Sequence, residues 1–577
     1  LIIFGRLFHL QVFAHRKYLD KSTNNYTKSF VIPPQRGNIL DINNEKIAYN
    51  SKYWRVIIKG RKKEVDVLHR AIDVLGISED MRKYIVNQYA KTPFEDFVVY
   101  EFLSRDQLTS MEINLPYLPN VYVVEGVARY CKNDFVYSNL LGYVRTPTVD
   151  DIKSGKSKHP DVKIGATGLE RIFDQSLTGT HGYKMVEMNA LGHTIRDLST
   201  KDPISGEEIR LTLDHNIQEF MHTLAQNTAM SSVLMNVNTG NIVGMVSSPT
   251  FNSTQLSQKI SQDEWQKIAQ NPANPMLNRA YQAGYSPGSI FKVIVALAAL
   301  KAGVSPDKQF YCNGKHKVGS QTFRCWKPQG HGKVDLHHGI KYSCNVYFYN
   351  LANYITDEHI KSVALELGLH QVFESLPFYG QKAGTIPDAI WAKSVKKSWY
   401  KGDLINTIIG QGYTSCTTMQ LATVMARIAT GKKVMPKIQL NENIFDDINI
   451  ELEHLLILRS ALFSGANEQG GTSFSLRIKD SGYEFAGKTG TAQVVSKFVQ
   501  MNETYKIEEE KPNGLFAGFA PFHQPKFSIA AIYENGGYGA SSALPFASKV
   551  LFYAQKLYAG ETATANKFKE DILKKLQ

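Results

Sequence analysis

Cysteine is scarce in this chain, with five residues in 577. That excludes a scaffold built from disulfides. No internal repeat is present, so a solenoid or propeller is excluded. No Arg-rich arm or nucleic-acid fingerprint occurs, and no nucleic acid is expected as a partner. The net charge of +13 then suits an anionic membrane surface or an acidic polymer. No run reaches the roughly 20 apolar residues of a full membrane span. What is present is ordinary globular material, 43% hydrophobic and 21% charged. Single cores seldom grow past about 300 residues, so more than one domain is expected.

The chain opens on Leu1 rather than Met. Its first segment, LIIFGRLFHLQVF, is apolar but short, and Arg6 and His9 interrupt it. It is expected to be the outer end of a membrane anchor, residues 1–14. VIPPQRGNILDINNEKIAYN reads as strand, turn, strand, punctuated by Pro33, Pro34, Gly37 and the Asn43-Asn44 turn. Residues 61–120 are charged and helix-rich, with 3.6-residue periodicity in EVDVLHRAIDVLGI. VYVVEGVARY is a strand, and GLERIFDQSL a short helix between glycines, followed by strands. The polar, turn-rich stretch 198–208 marks a boundary, giving an N-terminal domain at 15–205 and a second domain at 206–577. The second domain has two strands around Asn238-Thr239-Gly240, a long helical middle and three late strands ending in a helix. That pattern predicts an α+β fold, one antiparallel sheet with helices packed on it.

AGYSPGSIFK, residues 283–292, carries two overlapping nucleophile motifs. Gly284 to Gly288 fits G-x-S-x-G, and Ser289 to Lys292 fits S-x-x-K. An elbow serine follows a strand and uses the next backbone N–H for its oxyanion hole. After Ser286 comes Pro287, which has no N–H, and MLNRAYQA before it lacks strand periodicity. Ser289 is better placed. Pro287-Gly288 makes a turn, and IFKVIVALAALKAG reads as a buried helix opening at Ser289. Lys292 lies on the same helix face. A buried lysine can be neutral enough to act as the base a serine needs.

S-x-x-K is common by chance, as Ser305/Lys308, Ser394/Lys397 and Ser398/Lys401 demonstrate. Two further motifs in the right order single out Ser289. YSCNVYFY supplies Ser343-x-Asn345, and GKTGTA supplies Lys488-Thr489-Gly490 on a predicted strand. Taken singly, the first is an ordinary helix start and the second a plain strand end. Together they make a catalytic set. Ser343 can relay a proton between Lys292 and a leaving amine. Asn345 can donate to a substrate amide and to Lys292. Lys488 and Thr489 can hold a substrate carboxylate, and Gly490 leaves the strand edge open to substrate. The backbone N–H groups of Ser289 and Thr491 can form the oxyanion hole. The reaction class is acyl transfer through a serine ester.

On these motifs the chain resembles the class B penicillin-binding proteins, the monofunctional transpeptidases of bacterial cell-wall synthesis. PPQRGNILDINNEKIAYN, GATGLERIFDQSLTGTHG, VEMNALGHTIR, LTLDHNIQ and GDLINTIIGQGYTSCTTMQLA match the family's pattern too. NPMLNRAYQAGYSPGS and FRCWKPQGHGKVDLHHGIKYSCNVYFY are similar to its elongation branch. The resemblance implies a single inner-membrane anchor and an elongated, mainly β, non-catalytic pedestal. It also implies a periplasmic transpeptidase domain with a five-stranded antiparallel sheet and an all-helical subdomain. It implies attack on D-Ala-D-Ala stem peptides, cross-linking in cell elongation, and acylation of Ser289 by β-lactams. No catalytic cofactor is implied. Its partners would be the elongation SEDS glycosyltransferase and the MreC scaffold, both on the pedestal.

Two other functions share the motifs. A serine β-lactamase would need a deacylating base, which cannot be placed, and no long N-terminal region. The other is a non-catalytic scaffold or β-lactam sensor; intact Ser289, Lys292 and Lys488 argue against a dead enzyme.

Cys312, Cys325, His331 and Cys344 are separated by 13, 6 and 13 residues. Three thiolates and an imidazole suit a closed tetrahedral structural zinc site. Cys344 is the middle residue of Ser343-x-Asn345, so a metal there would hold the second motif from behind. A Cys312–Cys325 disulfide or unlinked thiols are the alternatives. His337 and His338 are expected at the surface, and Cys131 and Cys416 as small buried hydrophobes.

Overall fold

The computed structural model describes residues 2–14, 16, 26–59, 65–91, 96–157, 159, 162–189, 194–258, 260–441, 444–494, 497–501, 504–508 and 511–576. Within the second domain, five strands form one antiparallel sheet. Its order is Ile242–Ser248, Met230–Asn236, Phe527–Tyr533, Asn513–Ala520 and Ala486–Ala492. Two strands from early in the domain therefore sit beside three from its end, with the long helical middle between them in sequence.

Side chains alternate along these strands, and the alternation feeds two separate cores. Val233, Met235, Leu515, Ala517, Ala530 and Ile532 face one core. This core also holds the helix Lys292–Lys301, apolar from Val293 to Leu300, and the helix Thr418–Thr430. Leu234, Phe516, Ile529 and Ala531 face the other core, shared with helices His215–Ala225 and Ala543–Tyr558. Because both faces are covered, the strands read as near-continuous apolar runs. Local chemistry sets the helix ends. Asp214 caps its helix by accepting from Asn216 and Ile217 N–H, and Gly431 stops another in the left-handed region.

The N-terminal region is mixed. A long antiparallel ribbon joins Lys46–Ile58 to Val121–Cys131, about 40 Å for its 13-residue strand. At one end Ala48 packs into the core of the second domain. At the other, Val56 and Ile58 join a separate small core with helices Val65–Leu75, Glu79–Lys91 and Arg105–Asn114. A three-stranded sheet, Thr27–Ile32, Gly182–Met188 and Thr194–Lys201, lies alongside. Ile209–Arg210, just past the polar 198–208 stretch, still pairs with Ile39–Leu40 of this region.

A buried ion cluster ties PPQRG to GLER. Arg36 and Arg129 both reach Glu170, at 2.6 and 2.7 Å, and Arg36 also meets Asp174 at 2.8 Å. The two guanidiniums overcome the burial of Glu170 and hold its carboxyl below the ordinary range. The opening apolar run forms Ile2–Phe8 and a π-helical turn at His9–Phe13. Among the described residues no helix is long and apolar enough to cross a membrane.

Candidate active site

Ser289 lies in a single 3-10 turn, Gly288–Ile290, directly ahead of the helix Lys292–Lys301. Sequence reading opened the α-helix at Ser289, whereas the α-helix proper begins at Lys292. The tight turn is required because Gly288 adopts φ +54° and donates to the Gly410 carbonyl at 3.0 Å. A Cβ on Gly288 would lie 2.6 Å from the Thr491 carbonyl oxygen. The serine turn is thus pressed against the sheet-edge strand Ala486–Ala492.

Gly490 serves that same contact. A Cβ there would meet the Pro287 carbonyl at 2.9 Å and Ile290 Cγ1 at 3.2 Å. Its missing side chain admits the serine turn, where the sequence reading had it admit substrate. Ser286 is a half-buried loop residue.

Lys292 is fully buried and donates to Ser343 O at 2.9 Å, Ser343 Oγ at 3.2 Å and Asn345 Oδ1 at 2.6 Å. Among the described residues Ser289 Oγ makes no hydrogen bond, so in this state Lys292 is turned to the second motif. Burial pulls the amine down to about 8, with the thiol charges of Cys325 and Cys344 acting the other way. A lysine so poised is a competent base near neutral pH.

Asn345 accepts from Lys292 and does not donate to it, which reverses one sequence-based expectation. An ammonium has only donors, so the amide must present its oxygen. The amide nitrogen donates to the Arg324 carbonyl at 3.2 Å, and Tyr349 OH donates to the same oxygen at 3.3 Å. Ser343 sits at φ +54°. For a non-glycine residue this is an uncommon conformation, held by its two contacts with Lys292.

Lys488 is also buried, and its Nζ donates to the Thr489 carbonyl at 3.2 Å. Burial first, and then the charge of Lys292, push its amine well below the ordinary lysine value. Thr489 Oγ1 donates to Thr472 Oγ1 at 3.1 Å, and Gln411 Nε2 donates to the Thr491 carbonyl at 3.1 Å. Gly410, Gln411 and Thr472 were not singled out from the sequence. The Gly-Gln-Gly run at 410–412 is the one local signal for the first two.

Behind the second motif, the ligand atoms of Cys312, Cys325, His331 and Cys344 all lie within 4.8 Å of one another. His331 Nδ1 is 3.6 Å from Sγ of both Cys312 and Cys325. Bonds of about 2.0 and 2.3 Å to one tetrahedral metal would put such atoms about 3.5 Å apart. All five cysteines are unlinked, so the Cys312–Cys325 disulfide is not formed. Hydrogen bonds from Cys344 and His331 pull the Cys325 thiol down, while the same contact with Cys325 and burial push the Cys344 thiol up. His331 stacks on Tyr342 and meets Trp326 edge-on. His337, expected at the surface, is half-buried, with Nε2 3.0 Å from Ser464 Oγ. Cys416 is fully buried.

Residues 230–551 match the penicillin binding protein transpeptidase domain, and residues 31–211 the penicillin-binding protein dimerisation domain. The peptidoglycan D,D-transpeptidase MrdA of Acinetobacter baumannii is 29% identical over 94% of this chain and 84% of its own length. MrdA of Escherichia coli K12 is 28% identical over 93% of this chain and 89% of its own length. Among solved structures, the complex of PBP2 with MreC from Helicobacter pylori matches with a TM-score of 0.79. The identity is 27%, covering 93% of this chain and 100% of that one. A transpeptidase match over more than half the chain, with these motifs gathered on one sheet edge, shows that the chain belongs to the penicillin-binding protein transpeptidase family.

Proposed function

We propose that the protein is a peptidoglycan D,D-transpeptidase of cell elongation, with Ser289 as its nucleophile. The observation that carries this reading is Lys292, fully buried, lowered to about 8 and bonded to Ser343 and Asn345 one turn from Ser289. Neutral Lys292 takes the proton of Ser289 Oγ as that oxygen attacks the penultimate D-Ala carbonyl. Backbone N–H groups of Ser289 and Thr491 stabilise the oxyanion. Ser343 passes the proton from Lys292 to the departing D-Ala nitrogen, leaving a serine ester. An amine of a neighbouring strand then attacks the ester, forms the cross-link and returns the proton to Ser289. The terminal carboxylate of the stem peptide pairs with Lys488 and Thr489. Its negative charge raises the Lys488 amine again once Nζ turns from the Thr489 carbonyl.

The donor set of Cys312, Cys325, His331 and Cys344 fits a structural zinc ion. Bound there, zinc supplies cross-linking of three segments and takes no part in acyl transfer. The exposed apolar residues Ile2, Ile3 and Phe4 support an N-terminal membrane anchor, with the catalytic domain in the periplasm. The likeness to the PBP2–MreC complex supports an MreC-type scaffold as partner of the N-terminal region. We place an elongation glycosyltransferase of the SEDS type on the same region.

Mass spectrometry after β-lactam labelling tests the reading. A single stable adduct on the peptide holding Ser289 is expected, absent in Ser289→Ala. Sustained β-lactam turnover, or strand cross-linking that survives Ser289→Ala, would overturn it.

A further inference from the structure

Away from Ser289, a cleft of about 630 Å³ opens where the N-terminal region meets the second domain. Its walls come from the end of helix His215–Ala225, the turn at 226–229, the loop at 133–136 and Ser248 to Thr250. Ser248 ends the strand at the opposite edge of the sheet from Ala486–Ala492. The cleft is therefore separate from the acylation site. Its volume lies within the range of about 300–1,000 Å³ typical of small-ligand sites.

The chemistry of the walls is neutral and rich in amides. The half-buried Asn133 and the exposed Gln226 and Asn227 line the cleft, and no protein group among the described residues pairs with their side-chain amides, which are open to a ligand. His222 also lines it, is 7% exposed, and has a buried Nδ1 with no partner. The one carboxylate, Glu219, is paired with Lys569 at 2.7 Å. The site therefore favours neither an anion nor a cation. Phe135, 47% exposed, also lines the cleft and adds an aromatic ring to it. Unpaired amides beside an exposed aromatic face suit a ligand that is polar at its edges and apolar on its ring faces.

We propose that this cleft binds the glycan of the substrate, a short run of neutral N-acetylated amino sugars. Hydroxyl and acetamido groups pair with the three free amides, and one sugar face rests on Phe135. This rests on the transpeptidase reading and adds to it a hold on the strand that carries the stem peptide. Grip on a remote part of the substrate can be used to orient the reacting peptide.

Titration of the full chain with chitotetraose, a neutral oligomer of N-acetylglucosamine, tests the proposal. Calorimetry or ligand-observed NMR reads the binding, and labelled penicillin reads acylation of Ser289 in the same samples. Saturable binding to the parent protein is expected. In Phe135→Ala and in Gln226→Ala it should weaken by about tenfold or more, with the acylation rate unchanged. Three results would overturn the proposal while leaving the transpeptidase reading intact. One is no saccharide binding by a protein that acylates normally. Another is binding that neither variant weakens. The last is a free stem pentapeptide, and not the saccharide, losing affinity in the two variants. Failure of acylation in the parent protein would instead remove the transpeptidase reading itself.

Discussion

Lys292 Nζ lies 2.6 Å from Asn345 Oδ1 and 3.2 Å from Ser343 Oγ. The base of the first motif is thus oriented by the second. A lysine free to rotate would lose entropy on each approach to the serine. Here two fixed acceptors and the ring of Phe348, 5.6 Å from the amine, hold it fully buried.

The acylation rate should therefore follow the deprotonation of Lys292. It is expected to rise with pH and to reach half its plateau near pH 8. Stopped-flow labelling with a fluorescent penicillin across pH 6–10 checks this. Lys292→Arg stays protonated, so acylation should fall by about 100-fold or more and lose the pH 8 step. The same depressed value stabilises the fold as pH rises from about 8 towards the ordinary lysine range. In that window the unfolded chain holds a proton that the folded chain does not.

Gly490→Ala should impair acylation without unfolding the protein. The new Cβ meets the Pro287 carbonyl at 2.9 Å and Ile290 Cγ1 at 3.2 Å, so the edge strand and the serine turn must part. A shift of about 1 Å between catalytic groups can cost about 100-fold in rate. Gly288→Ala should be worse, since φ +54° adds backbone strain to a 2.6 Å approach to Thr491 O. Acylation rates beside circular dichroism spectra separate the two effects from global unfolding.

Glu170→Gln should destabilise the N-terminal region where PPQRG meets GLER. It leaves Arg36 and Arg129 buried with one shared anion fewer. Breaking a buried ion pair costs about 3–5 kcal/mol. Urea melting should show the loss, while acylation per folded molecule stays near the parent value.

Loss of the cysteine cluster should reach the active site. Cys344 separates Ser343 from Asn345, and Cys325 follows Arg324, whose carbonyl accepts from Asn345. Cys325→Ser, or treatment with a strong chelator, is expected to lower the melting temperature and slow acylation together. Elemental analysis should find one zinc per chain in the parent protein and less in the variant.

Much of the architecture is legible in the residues. The near-continuous apolar runs of MSSVLMN and FSIAAIY and the apolar helix after Ser289 follow from local composition. Ser289, Lys292, Ser343, Asn345 and Lys488 stand out because three motifs occur in one order. Pro287 alone removes the rival serine, because a missing N–H is a property of the residue itself. The direction of the Lys292–Asn345 bond was not legible, since an amide can either donate or accept. The service of Gly490 to the Pro287 turn was hidden too, as was the pairing of Thr489 with Thr472. These depend on which segments, distant in sequence, come within about 3 Å of one another.

By itself the sequence determined the chemistry available to this protein: two serines, two lysines, an amide and four metal-type ligands, each in a segment that can be read locally. Tertiary structure alone decided how those groups meet. It buries Lys292 deeply enough to lower its amine, presses Gly288 against Thr491, and gathers Arg36, Arg129, Glu170 and Asp174 into one ion cluster. The reason is that burial and approach are sums over the whole chain, whereas periodicity and motif are local.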